Sequence, residues 1–181
     1  VDSAGFTLSD DPSKLTLTSF ESSRVVVRSF SSGAFINNRT RFDFAGIRWE
    51  FTAGVRAVID SYNSEIIISP RVSATAELSG SLSAHISMGV YNQPPGGREL
   101  MRPAEEVTGN LRAQRSFHLE TGAVYTFRAW DRPFSLIADL YGKKMERIIP
   151  SRVDNVRMIY YGGNIARGYT AGLDLRVNGD F

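Results

Sequence analysis

The sequence predicts an all-β chain: an antiparallel meander of about seven transmembrane strands, a segment of a β-barrel that is open as a fragment. Three observations carry that expectation. Side chains alternate apolar and polar with a period of two over long stretches. The stretches are joined by connections that are short and long by turns. Aromatic residues gather beside the short connections.

The alternation is cleanest over residues 47–59. Ile47, Trp49, Phe51, Ala53, Val55, Ala57 and Ile59 share one face, against Arg48, Glu50, Thr52, Gly54 and Arg56. Such a segment has one face on hydrocarbon or core and the other on water. Residues 65–78 put Ile66, Ile68, Pro70, Val72, Ala74, Ala76 and Leu78 against Arg71, Ser73, Thr75 and Glu77. Residues 82–90 set Leu82, Ala84, Ile86, Met88 and Val90 against Ser83, His85, Ser87 and Gly89. Residues 117–129 keep the phase with Phe117, Leu119, Ala123, Tyr125 and Phe127, broken at Thr121 and Val124. Residues 134–140 and 169–177 repeat the pattern, and a noisier strand is expected from about residue 24 to 44. These runs exceed the ~5–6 residues usual for a globular strand. Membrane barrels need ~9–11.

The connections at 44–46, 79–81 and 130–133 are short, 61–64 is modest, and 92–112 and 143–165 are long. Outer-membrane barrels combine short turns on one side with long external loops on the other. Phe42, Phe44, Trp49 and Phe51 crowd one short turn, and Tyr125, Phe127, Trp130 and Phe134 another. Aromatic rings favour the membrane–water interface, so these are expected to form one girdle. A soluble β-sandwich also alternates. It would more often have shorter strands, and its outer face would not mix so many glycines and hydroxyls with charges of both signs.

Bulk composition excludes several classes. The 181 residues carry 21 basic and 19 acidic side chains, a net charge of +2, so nothing electrostatic favours nucleic acid. Cysteine is absent, which removes disulfides and thiolate metal sites. No apolar run approaches the ~20 residues of a spanning helix. Val1-Asp2-Ser3-Ala4-Gly5 lacks the basic start and apolar stretch of a signal peptide, so an exported protein is expected to begin upstream.

Six segments, in order and spaced over about residues 30–180, resemble the C-terminal half of TonB-dependent receptors, especially those of the Bacteroidetes type. They are Ser32-Gly33-Ala34-Phe35-Ile36-Asn37-Asn38; Thr52-Ala53-Gly54-Val55-Arg56 with Asp60-Ser61-Tyr62-Asn63; Ile68-Ser69-Pro70-Arg71-Val72-Ser73; Gly89-Val90-Tyr91-Asn92-Gln93-Pro94-Pro95 with Arg98-Glu99-Leu100; Leu111-Arg112-Ala113-Gln114-Arg115-Ser116-Phe117-His118 before Gly122-Ala123-Val124-Tyr125; and Asn164-Ile165-Ala166-Arg167-Gly168-Tyr169-Thr170-Ala171-Gly172-Leu173-Asp174. The resemblance implies an outer-membrane location and a barrel of about twenty-two strands around a plug. It also implies energy-coupled uptake, through TonB acting on the plug, of a scarce ligand such as a siderophore, haem, cobalamin or glycan. The expected partners are therefore outer-membrane lipid, the TonB complex and a small-molecule or glycan ligand. Residues 1–181 are expected to belong to the barrel domain, with the plug absent. Gly179-Asp180-Phe181 is similar to the family's next short turn, so the chain is expected to stop mid-barrel, although Phe181 keeps phase with Leu173, Leu175 and Val177. The other functions compatible with the pattern are a passive porin-like or adhesin barrel and a soluble β-sandwich binding module.

Arg48, Glu50, Arg56, Arg71, Glu77, His85, His118, Glu120, Arg128, Asp139, Asp174 and Arg176 fall on the polar phase and are expected to face the lumen, pairing across strands or to the plug. Gly54, Gly89, Gly122 and Gly172 share that phase. A strand glycine marks either a close approach to the backbone or relief of sheet curvature. Pro70 removes a ladder donor and predicts a bulge or an end of regular pairing. His85 and His118 are the two histidines, and no spacing of His with acids indicates a metal, catalytic or cofactor site. No nucleophile elbow or phosphate loop is present. The candidate ligand residues lie in the long external loops: Tyr91, Gln93, Arg98, Glu99, Arg102, Tyr160 and Tyr161.

Overall fold

The structure, a computed structural model, describes residues 2–8, 15–22, 26, 28–100, 111–154 and 157–179. Among them there is no helix. Seven strands form one sheet: β3 (Ser31–Phe44), β4 (Ile47–Asp60), β5 (Glu65–Glu77), β6 (Leu82–Gln93), β7 (Gln114–Ala129), β8 (Arg132–Ile148) and β11 (Ala166–Gly179). Their spatial order is that of the chain, each antiparallel to the last. The sheet is open: β3 and β11 are its edges. Two separate hairpins, β1 (Asp2–Leu8) with β2 (Leu15–Ser22) and β9 (Ser151–Asp154) with β10 (Arg157–Tyr160), complete the described elements.

The seven strands are those the alternation predicts: β4, β6, β7, β8 and β11 are longer than expected, β5 is one residue shorter, and β3 begins at Ser31 and not near residue 24. They run 12 to 17 residues, longer than a bilayer crossing requires. The register turns each strand's alternation into two coherent faces. Val72 pairs with Ala53 and Met88, and Ala123 with Ala84 and Ala138, so one face is apolar from edge to edge. That face is uncovered: Ile36, Ile66, Ile86, Leu119, Leu140 and Leu173 all remain exposed. A β-sandwich would bury this surface under a second sheet, and none lies over it among the described residues. An apolar face left open on so wide a sheet suits hydrocarbon, not water.

Two of the short turns share one backbone solution. Ala45-Gly46 and Trp130-Asp131 each place both residues at positive φ, 53° and 75° then 51° and 59°. That is the type I′ signature, whose twist matches the flanking strands. Gly46 meets it without strain; Trp130 does not, and its ring projects 83% exposed. Phe127 stacks on Tyr125 at 5.8 Å and on Phe134 at 5.6 Å, and Trp130 meets Phe134 edge-on at 5.9 Å. Phe42 pairs with Trp49 at the neighbouring short turn. The aromatic rings thus collect at the end of the sheet where the short turns lie.

The opposite end is built differently. Leu100, Leu111 and Ile149, each under 5% exposed, form a small apolar core with Tyr62 and Tyr160 packed against it. Burial raises the pKa of the Tyr62 phenol. Asn63 Nδ2 donates to Leu111 O at 2.7 Å, and Asn164 Nδ2 donates to Arg112 O at 2.8 Å and Arg147 O at 2.7 Å. Side-chain amides therefore tie the long connections down.

Several expectations need correction. The connection expected over 143–165 is in part strand: β8 runs on to Ile148, and the β9–β10 hairpin follows. The alternation is lost there because Gly142 and Lys144 occupy the apolar phase while the ladder to β11 continues. Near its end a bulge opposes Glu146 and Arg147 to Arg167, with Arg147 at φ 58°. The β1–β2 hairpin is a further pair of strands that the alternation does not predict. Thr121 and Val124 break the phase as expected, Thr121 on the apolar face and Val124 on the polar one, yet the ladder runs on through both; the Thr121 hydroxyl donates to His85 O at 3.0 Å. Pro70 causes no bulge against β4, but regular pairing of β5 with β6 ends at Arg71, next to it. Phe181 lies outside the described residues.

Candidate functional site

Every residue expected on the polar phase registers onto one face of the sheet. Arg48, Glu50 and Arg56 of β4 share it with Arg71 and Glu77 of β5, through the pairs Arg48↔Glu77 and Gly54↔Arg71. Thr75↔His85 carries it to β6, Gly89↔His118 and Ser87↔Glu120 to β7, and Gly122↔Asp139 to β8. Arg128 belongs to the same row of β7, and Asp139↔Asp174 and Ile137↔Arg176 bring in β11.

Cross-strand pairing is partial. Arg48 Nη1 meets Glu77 Oε2 at 3.0 Å, and Glu50 takes Arg41 at 2.7 Å and Arg39 at 3.4 Å. Arg39 and Arg41 were not singled out in the sequence, because the strand containing them alternates poorly. Arg128 donates to Asp131 O within its own turn. Among the described residues Arg56 and Arg71 have no carboxylate within 4.0 Å.

The four polar-face glycines have a common cause. A Cβ at Gly54 would strike the Asn37 amide, and one at Gly172 the Tyr141 ring. At Gly122 it would meet Asp139, His85 and the backbone oxygen of Ala138. At Gly89 it would press on Tyr91 and Arg71, at 3.1 and 3.2 Å. The close approach is made by side chains of the sheet itself, from neighbouring strands at Gly54, Gly122 and Gly172 and, at Gly89, from Arg71 of β5 and Tyr91 of the same strand.

Two constellations result. The first lies where β5 and β6 part beyond Arg71. Asn92 Nδ2 reaches across the gap to Ile68 O at 3.1 Å and Ser69 Oγ at 2.9 Å. The opening is a cleft of about 360 Å³ whose lining includes Arg56, Ser69, Arg71, Tyr91 and Gln93. The Arg71 guanidinium stands 5.7 Å from the centre of the Tyr91 ring, which packs 4.3 Å from His118. Among the described residues no acidic side chain lines the cleft. The second constellation surrounds Gly122: His85 Nε2 is 3.2 Å from Asp139 Oδ1 and 3.9 Å from Glu120 Oε1. His118 turns away from it and bonds Ser116 Oγ at 2.7 Å.

The candidate ligand residues do not all sit in loops. Tyr91 and Gln93 belong to β6 and face the polar side with Arg71. Tyr160 belongs to β10, with its ring against the loop-end core. Tyr161 follows it and is exposed. Arg98 and Glu99 lie in the turn after β6. Glu99 accepts from Gly96 N at 2.7 Å and Gln114 Nε2 at 2.9 Å, which gives it a structural part. Arg102 falls outside the described residues. Both constellations draw on several strands, and only register reveals them.

Comparison with known proteins identifies one family, described as TonB dependent receptor-like, beta-barrel, whose model matches residues 2–181. No curated protein and no solved structure matches the chain.

Proposed function

From the premise that the chain belongs to the TonB-dependent receptor-like β-barrel family, we propose that it forms part of the wall of an energy-coupled importer of a scarce small molecule or glycan. Membership makes it an outer-membrane receptor and transporter barrel, in a family of transporters and not enzymes. The single observation that supports the finer reading is the two-faced sheet. One face is apolar and uncovered, as lipid contact requires, and the other carries charges of both signs.

In this reading residues 1–181 lie within one barrel domain and the polar face lines the lumen. Coupling to TonB runs through a plug that fills that lumen. The ligand is met at the long-connection end by Tyr91, Gln93, Arg98, Glu99, Tyr160 and Tyr161. Arg56 and Arg71, unpaired with any carboxylate among the described residues, favour a ligand or plug segment bearing negative charge. Tyr91 offers the same site a flat aromatic surface.

The test is growth of cells expressing the encoding gene on ferric siderophores, haem, cobalamin or glycans as limiting nutrients, with and without TonB. Growth on one of them that requires both the gene and TonB is expected. Uptake that persists unchanged without TonB would instead show a passive pore.

A further inference from the structure

We propose that His85, Glu120 and Asp139 form a binding site for one divalent transition-metal ion. The proposal stands apart from the ligand and from energy coupling. Spacing along the chain indicates no metal site, because His85, Glu120 and Asp139 lie on three different strands.

The geometry comes from three adjacent strands. His85 on β6, Glu120 on β7 and Asp139 on β8 each offer a ligand atom, all within 4.8 Å of one another. A tetrahedral ion with bonds of about 2.0–2.2 Å holds its ligands roughly 3.3–3.6 Å apart. The observed 3.2 and 3.9 Å separations from His85 Nε2 bracket that spacing. Gly122 stands at the centre, and a Cβ there would occupy the space that Asp139 and His85 use.

The electrostatics call for a cation. Asp139 is directly opposite Asp174 on β11, and like charges so placed repel. Among the described residues no Lys or Arg nitrogen lies within 4.0 Å of Glu120, Asp139 or Asp174. Asp139 Oδ1 is itself shut off from water, although the side chain as a whole stays 21% exposed; it accepts no hydrogen bond and faces His85 Nε2 at 3.2 Å. A carboxylate oxygen removed from water is costly unless a charge or donor compensates it. An ion between Oδ1 and Nε2 supplies that compensation and uses the imidazole lone pair.

The donor set selects the ion. One imidazole and two carboxylates suit zinc, cobalt or manganese. Magnesium prefers an octahedral oxygen shell. Three protein ligands leave a fourth position open toward the polar face. Bound metal would staple β6, β7 and β8 together.

The protein, extracted from outer membranes in detergent without a polyhistidine tag and stripped with EDTA, is titrated with Co²⁺. A saturable visible absorption band that Zn²⁺ abolishes is expected. Asp139→Asn and His85→Gln should each weaken Co²⁺ binding at least about tenfold. His118→Gln should titrate like the wild type. Glu120→Gln, at a half-exposed position, supplies the answer if either of the others fails to fold. The absence of a saturable band in the wild type overturns the proposal. So does unchanged affinity in the folded ligand variants.

Discussion

The ring of Tyr141 on β8 lies over Gly172, its register partner on β11, where a Cβ would collide with the phenol. A cross-strand aromatic covering a glycine protects an otherwise weak point of an edge strand. Gly122 is crossed as well, but there a backbone oxygen, that of Ala138, is among the obstacles. A ring can swing aside; a ladder carbonyl cannot.

Gly122→Ala should therefore cost more than Gly172→Ala, about 2–3 kcal/mol against about 1 kcal/mol. Urea unfolding in lipid or detergent measures both. Equal losses would mean that the Ala138 oxygen yields as readily as the Tyr141 ring.

The two faces can be separated at neighbouring positions. Ile86 is 43% exposed on the apolar face, and Ser87 is on the polar face. Ile86→Arg should destabilise the protein by roughly 2–4 kcal/mol, the cost of arginine near a bilayer midplane. Ser87→Arg should cost far less. Folding into bilayers, followed by heat-modifiable gel migration, checks the pair.

The ion pair of Arg48 with Glu77 spans β4 and β5 at 3.0 Å, but both side chains are more than half exposed. Glu77→Gln should change stability by less than about 1 kcal/mol, and by less still at high salt. A larger loss in chemical denaturation would show that this pair is shielded from solvent in the assembled barrel.

Asn164 holds Arg112 by two hydrogen bonds, accepting from its N–H at 2.7 Å and donating to its carbonyl at 2.8 Å. Its amide also donates to Arg147 O at 2.7 Å. Asn164→Asp keeps the shape and the acceptor and removes both donations. Losing the two donations, one exposed and one part-buried, should cost about 0.5–1.5 kcal/mol. Limited proteolysis should then cut sooner near Arg112, with the seven-stranded sheet intact.

The seven sheet strands and the two faces of each are legible in the sequence; the β1–β2 and β9–β10 hairpins are not. Alternation is a local property: once residues 47–59 are extended, Trp49 and Phe51 must lie on one side and Arg48 and Glu50 on the other. The I′ turns were visible only as short connections, because Trp130-Asp131 is not a residue pair that announces positive φ. The long connections read as loops because β9 and β10 are four residues each, too short to alternate. Which residues meet is set by the folded sheet. Register depends on pairing between distant segments, and one residue of slip exchanges a strand's faces. That is why His85, Glu120 and Asp139 gather around Gly122, and why Arg71 and Tyr91 border a cleft. Pro70 hinted at the parting of β5 and β6, since a strand without that donor pairs less well on one side. It could not show that Arg56 and Gln93 would line the opening.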